Sequence, residues 1–207
     1  HGLMLIIDNH HWATRTADWT TEQDRLTAAW AQIAAHYADL DPERYLFELY
    51  NEPTMDEAIW RQLAQASLDT LRHYAPNHTV ILGGNNYNSV YVLPTMETYP
   101  DSNLIYTYHF YEPYLFTHQG ATWAQPWLTL RNVPFPYDST TMPPITPEMQ
   151  AEPAGQALYG IYNMMGTEDY LQQRTDACRQ WGWAHNVPVY VGEVGATGAA
   201  PLDERFK

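Results

Sequence analysis

The chain has 207 residues, of which 45% are hydrophobic, and it carries 24 acidic against 10 basic side chains for a net charge of −14. It is apolar enough to bury a core, which argues against disorder, and too acidic to favour a phosphate backbone, which argues against nucleic-acid binding. No apolar run approaches the ~20 residues of a membrane helix, and the single cysteine, Cys178, excludes an intrachain disulfide and a cysteine-built zinc cluster.

Leu3–Asp8 is a near-continuous apolar run, the pattern of a strand covered on both faces. Residues 20–38 place Leu26, Ala29, Trp30, Ile33, Ala34 and Tyr37 at helical spacing. Tyr45–Tyr50 is a short strand. Thr54 followed by Glu57 has the form of a capping box and predicts a helix through Ile59, Leu63, Ala66 and Leu71, ended by Pro76-Asn77. Strands are predicted at Thr79–Gly84, Leu104–Phe110 and Pro188–Gly192, with a helix capped by Thr167 ahead of the last. Strand and helix alternating through short connections predict a parallel sheet. The sequence opens on His1-Gly2 and closes soon after an apolar strand, which reads as one incomplete domain over 1–207.

One segment breaks this rhythm. More than fifty residues separate Phe110 from Glu168, and eight of the fifteen prolines lie there with a dense set of aromatics, Trp123 and Trp127 among them. The spacing predicts a long ordered loop, of the kind that builds substrate clefts at the carboxyl ends of parallel strands. Aromatics make up 14% of the chain. They suit either a packed core or stacking on flat sugar rings. Trp123 and Trp127 stand four apart, which fits a helical core face as well as a sugar platform.

Four strands end in polar clusters. The first ends in Asp8-Asn9-His10-His11, the second in Asn51-Glu52-Pro53, the fourth in His109-Phe110-Tyr111 and the last in Gly192-Glu193-Val194-Gly195. In a parallel barrel all these ends share one face. Two carboxylates there are the equipment for glycosidic hydrolysis, one as proton donor and one as attacking or water-activating group. The bland alternatives are a solvated carboxylate at Glu52, a turn-forming asparagine at Asn51 and a core histidine at His109. Glu48 and Glu112 lie close by and are set aside, Glu48 as a carboxylate pairing inside the barrel. Asp8, His10, His11 and His109 hint at a metal, but adjacent strand residues point to opposite faces, so none is expected.

These four motifs, in this order, resemble glycoside hydrolase family 5, the cellulase family. The segment Phe116-Thr117-His118-Gln119-Gly120-Ala121 looks like a loop of some bacterial members. The resemblance implies a partial (β/α)8 TIM barrel, approximately strands three to seven, without the first two strands or strand eight. It implies a retaining hydrolase acting on β-1,4-glucan, with mannan, xyloglucan or β-1,3-glucan as alternative substrates and a non-catalytic carbohydrate-binding fragment as the other outcome. Glu52 would be the acid/base and Glu193 the nucleophile, with carboxyl groups about 5–5.5 Å apart. His10, His11, Asn51, His109, Tyr111 and Trp123 would bind substrate, with Tyr111 also donating to Glu193. No cofactor, membrane or nucleic-acid partner is expected, and the protein is expected to be a secreted or periplasmic monomer.

Overall fold

A computed structural model describes residues 2–10 and 18–205. Five strands form one sheet in the order β1 (Leu5–Asp8), β2 (Tyr45–Glu48), β3 (Val80–Gly83), β4 (Leu104–Phe110) and β5 (Val189–Val194). The first four pair in parallel, with Leu5 opposite Tyr45, Phe47 opposite Val80, and Val80 opposite Leu104. Beside β4, the Tyr106 N–H donates to the Pro188 carbonyl at 3.0 Å, just ahead of β5. The chain divides into two compact units, residues 1–109 with 178–192 and residues 110–177 with 193–207.

In the first unit, α1 (Trp19–Tyr37) follows β1 and α2 (Glu57–Tyr74) follows β2. Asp18 caps α1, its carboxylate accepting from the Thr20 N–H at 3.1 Å. Of the six positions that its apolar spacing names, the helix buries Leu26, Trp30 and Ala34, while Ala29, Ile33 and Tyr37 are half-buried. Trp30 is fully buried, its Nε1–H donating to the Leu49 carbonyl at 3.1 Å and its ring meeting Phe47 edge-on at 5.7 Å. In α2, Trp60 likewise donates to the Gly83 carbonyl at 2.8 Å. The predicted capping box is not formed. The N-cap of α2 is Asp56, two residues beyond Thr54, because Glu52 and Pro53 turn the chain before the helix begins.

In the last turn of α2, Arg72 holds the β3 and β4 entries together. Its guanidinium grips the Asp101 carboxylate at 2.6 and 3.2 Å and donates to the carbonyls of His78 and Asn103. Burial pushes the Asp101 carboxyl up. The hydrogen bonds from Arg72 and the Asn103 N–H, together with the Arg72 charge, outweigh burial and hold it below the usual carboxylate range. A carboxyl lowered on folding stabilises the native state fully above its unfolded value, near pH 4, and that stabilisation is lost as pH falls through the folded value. Asp101→Asn is therefore expected to cost about 2 kcal/mol at pH 7. The gap from wild type, measured by urea unfolding, should close towards pH 3.

The loop after β3 is backbone-strained. Its turn α3 (Asn85–Asn88) is helical in name only, because Asn86, Tyr87 and Asn88 all hold left-handed φ, at 54°, 64° and 51°. Such a conformation costs about 1–3 kcal/mol per non-glycine residue and persists only where its surroundings impose it.

In the second unit, the stretch predicted as a long loop contains three helices, α4 (Tyr114–Thr117), α5 (Pro147–Ala151) and α6 (Pro153–Met165), ahead of α7 (Glu168–His185), which crosses into the first unit. Pro147 and Pro153 occupy first helical positions, where the missing N–H costs nothing. Leu115, Phe116, Leu128, Leu130, Phe135, Met149 and Tyr162 form a core of its own here. Most of the aromatics that suggested sugar stacking are thus packing residues. Thr167 caps α7 as predicted, accepting from the Tyr170 N–H at 3.2 Å. Among the described residues, no helix is long and apolar enough to cross a membrane.

Candidate active site

The described residues of the polar clusters lie where the sequence places them, at the carboxyl ends of strands. In the first unit, Asp8 closes β1 and its carboxylate sits 2.8 Å from His10 Nδ1, while His10 Nε2 lies 3.2 Å from the Asn51 amide nitrogen. An amide N–H only donates. His10 Nε2 therefore accepts, and its Nδ1–H donates to Asp8. Asn51 is buried, and its backbone N–H donates to the Asn9 carbonyl at 3.1 Å. This ties the loop after β2 to the end of β1. His11 lies outside the described residues.

Glu52 follows with a left-handed φ of 50°. For a residue with an ordinary side chain this conformation is uncommon, and it concentrates at functional sites. Its Oε1 lies 3.0 Å from His109 Nδ1. His109, near the end of β4, is 4% exposed. Gly192, the last residue of the first unit, accommodates it, because a Cβ there would stand 2.6 Å from Thr107 Oγ1 and 3.2 Å from the His109 ring. The glycine before Glu193 is thus a space requirement of its neighbours.

In the second unit, the Tyr111 hydroxyl donates to Glu193 Oε2 at 2.7 Å. This is the pairing that the resemblance predicted. The turn carrying Tyr111 is fastened by Thr117, whose Oγ1–H donates to the Tyr111 carbonyl at 2.6 Å. The Thr117 carbonyl in turn accepts from the Thr197 N–H at 2.8 Å. Segments following Tyr111 and Glu193 are thereby linked. Gln119, wholly buried, closes the same turn through the Phe116 and Val133 carbonyls and the Val133 N–H.

Trp123 is 77% exposed and is not part of the core. Its nearest aromatic partner is His118, with centroids 6.0 Å apart, and His118 stacks on Tyr114 at 4.1 Å and meets Tyr111 edge-on at 5.3 Å. His118 lies outside the four strand-end motifs; its signal in the sequence is the run Thr117-His118-Gln119 within the loop Phe116–Ala121. Trp127 by contrast packs against the second unit's core, and Glu48 is buried.

A pair formed by one histidine and one carboxylate can position or exchange a proton, and a tyrosine hydroxyl on a carboxylate can fix its orientation. Removing the hydroxyl of Tyr111 tests the second pair. Tyr111→Phe is expected to lower kcat by about 10- to 100-fold, the worth of one hydrogen bond to a charged group. KM should change little, which steady-state kinetics would check.

A family model described as cellulase (glycosyl hydrolase family 5) matches residues 1–205. Endoglucanase 3 of Fibrobacter succinogenes is 29% identical over 210 residues, covering 95% of this chain and 32% of its own length. Cellodextrinase A of Ruminococcus flavefaciens is 30% identical over 195 residues, covering 83% of this chain and 57% of its own. Among solved structures, endoglucanase Cel5A from the hyperthermophilic Thermotoga maritima matches with a TM-score of 0.75 and 27% identity, over 100% of this chain and 59% of that one. The chain therefore spans 32–59% of the length of these relatives. Its five-stranded sheet is part of a (β/α)8 barrel, as expected.

Proposed function

Because this chain belongs to glycosyl hydrolase family 5, the cellulase family, over residues 1–205, we propose that it forms the catalytic part of a retaining endoglucanase acting on β-1,4-glucan. The observation that carries the reading is the pair of glutamates at strand ends, each held by its own ring partner. Glu52 is held by His109 at 3.0 Å and Glu193 by Tyr111 at 2.7 Å. A solvated loop carboxylate has no need of such a partner.

In the proposed reaction Glu193 attacks the anomeric carbon while Glu52 gives its proton to the departing glycosidic oxygen. The C–O bond breaks as a glycosyl ester forms on Glu193. Glu52, now a carboxylate, takes a proton from water, whose oxygen displaces Glu193 and leaves the sugar with its original configuration. Asn51 is placed to bond the sugar 2-hydroxyl, a contact that tightens in the transition state. His10 orients Asn51 through its amide and is placed to touch substrate, and Trp123 offers an exposed face for a ring. An enzyme for an insoluble polymer acts outside the cytoplasm, and we place this one in secretion or the periplasm, as a monomer.

Hydrolysis of a panel of carboxymethylcellulose, β-1,3-glucan, xyloglucan and mannan by the full-length protein tests the reading. Release of reducing ends from the cellulose derivative at a rate above the others supports it. Binding without turnover on every substrate would favour a non-catalytic carbohydrate-binding role.

A further inference from the structure

The left-handed turn after β3 has a use that its strain alone does not explain. Two hydrogen bonds clasp it to the loop carrying Glu52. The Tyr87 N–H donates to the Pro53 carbonyl at 3.1 Å, and the Asn85 amide donates to the Met55 carbonyl at 3.2 Å. The turn also delivers Asn88, wholly buried, to the far side of His109, with Asn88 Nδ2 3.4 Å from His109 Nε2. Next to it, Ser89 pairs with His109 as an isolated parallel bridge. Gly83, the last residue of β3, leaves the room. A Cβ at that position would fall onto the Asn88 amide and lie 2.9 Å from the Thr107 carbonyl.

The His109 ring is therefore held from both nitrogens, by an amide on Nε2 and by Glu52 on Nδ1. An amide nitrogen only donates, so Nε2 presents its lone pair and the ring proton resides on Nδ1. That proton is donated to Glu52 Oε1, which leaves Oε2 to carry the acid proton. In the other tautomer Nδ1 would present a lone pair and draw off the proton that Glu52 has to deliver. We propose that Asn88 is a positioning residue for the hydrolytic reaction, fixing His109 as its Nδ1–H tautomer and so keeping the Glu52 proton available to the leaving group. The proposal rests on the reading of Glu52 as the acid/base. A left-handed backbone at 88 suits asparagine, whose short amide tolerates it, and places that amide under the histidine.

Two variants test it. Asn88→Gly keeps the backbone conformation and deletes the amide. Asn88→Asp keeps the shape but accepts where the amide donated, drawing a proton to Nε2. With ¹⁵N-labelled histidine, the His109 resonances of the wild type should show a protonated Nδ1 and an unprotonated Nε2, and in Asn88→Asp the Nε2 should become protonated. Asn88→Gly should lower kcat on unactivated glucan by about 10- to 100-fold, within the range of general acid–base catalysis. The loss should be several times smaller on an aryl glycoside whose leaving group needs no protonation. A role in packing alone predicts equal losses on both substrates and an unchanged tautomer, and that result would overturn the proposal. So would a wild-type Nε2–H signature. Should Glu52→Gln stay active, the acid/base reading fails, while the nitrogen resonances still decide whether Asn88 sets the tautomer.

Discussion

Glu52→Gln and Glu193→Gln should each remove nearly all turnover of unactivated β-glucan while leaving the fold intact. A glutamine at 52 accepts the His109 Nδ1–H through its amide oxygen as the glutamate does, so the contact at 3.0 Å survives, but it has no proton of carboxylic acidity to give. General acid–base catalysis contributes about 10²–10⁴ in rate, and Glu52→Gln should lose at least that. A glutamine at 193 cannot form the glycosyl ester and should lose more. The two variants should differ in one respect. With an aryl glycoside that needs no protonation, Glu52→Gln should still glycosylate Glu193 and then stall, giving a burst of phenol, whereas Glu193→Gln should show no burst. Retention of more than about a tenth of wild-type kcat by either variant on glucan would remove that residue from the mechanism.

Trp30→Ala should give the largest loss of stability among single changes in α1, about 3–5 kcal/mol by urea unfolding. Three terms add. A large ring leaves a fully buried site, its edge contact with Phe47 is lost, and the Leu49 carbonyl loses the donor at 3.1 Å. Trp30→Phe should lose less, because the cavity is smaller and only the hydrogen bond is wholly removed. Trp183 serves as the control. It is 70% exposed and its ring lies under the Arg179 guanidinium at 4.8 Å, so Trp183→Ala should cost under about 1 kcal/mol. Equal losses at the two positions would mean that α1 is not anchored through Trp30.

The strands were legible in the sequence because each reads as an apolar run. β2, β3 and β4 are buried as such runs predict, whereas the cover on both faces expected of the first strand is not found, Leu5 and Ile6 of β1 being exposed, as are Tyr190 and Val191 of β5. Leu104–Phe110 matches the prediction residue for residue, and the others shift by one to two residues at their ends. The helices of the segment after β4 were not legible, because Pro147 and Pro153 read as breakers when they stand as starters. Thr54 gave a capping pattern that went unused, since the left-handed Glu52 delays the helix. At the site, the described residues named by short motifs lie at strand ends as read, and the Tyr111–Glu193 pair is formed. Asn88 was not readable, because its place beneath His109 depends on three successive left-handed residues. The run Gly83-Gly84-Asn85-Asn86-Tyr87-Asn88 holds residues that tolerate that conformation, but it does not say which of them will turn.

Trapping the glycosyl ester tests the central claim most directly. A 2-deoxy-2-fluoro β-cellobioside with a good leaving group slows breakdown of the ester more than its formation, so the intermediate accumulates. Intact mass followed by peptide mapping should find a single added fluoroglycosyl group, on Glu193 in the peptide that contains Val189–Val194. A label on Glu48, Glu52 or Glu112 instead, or turnover with inversion and no adduct, would contradict the account.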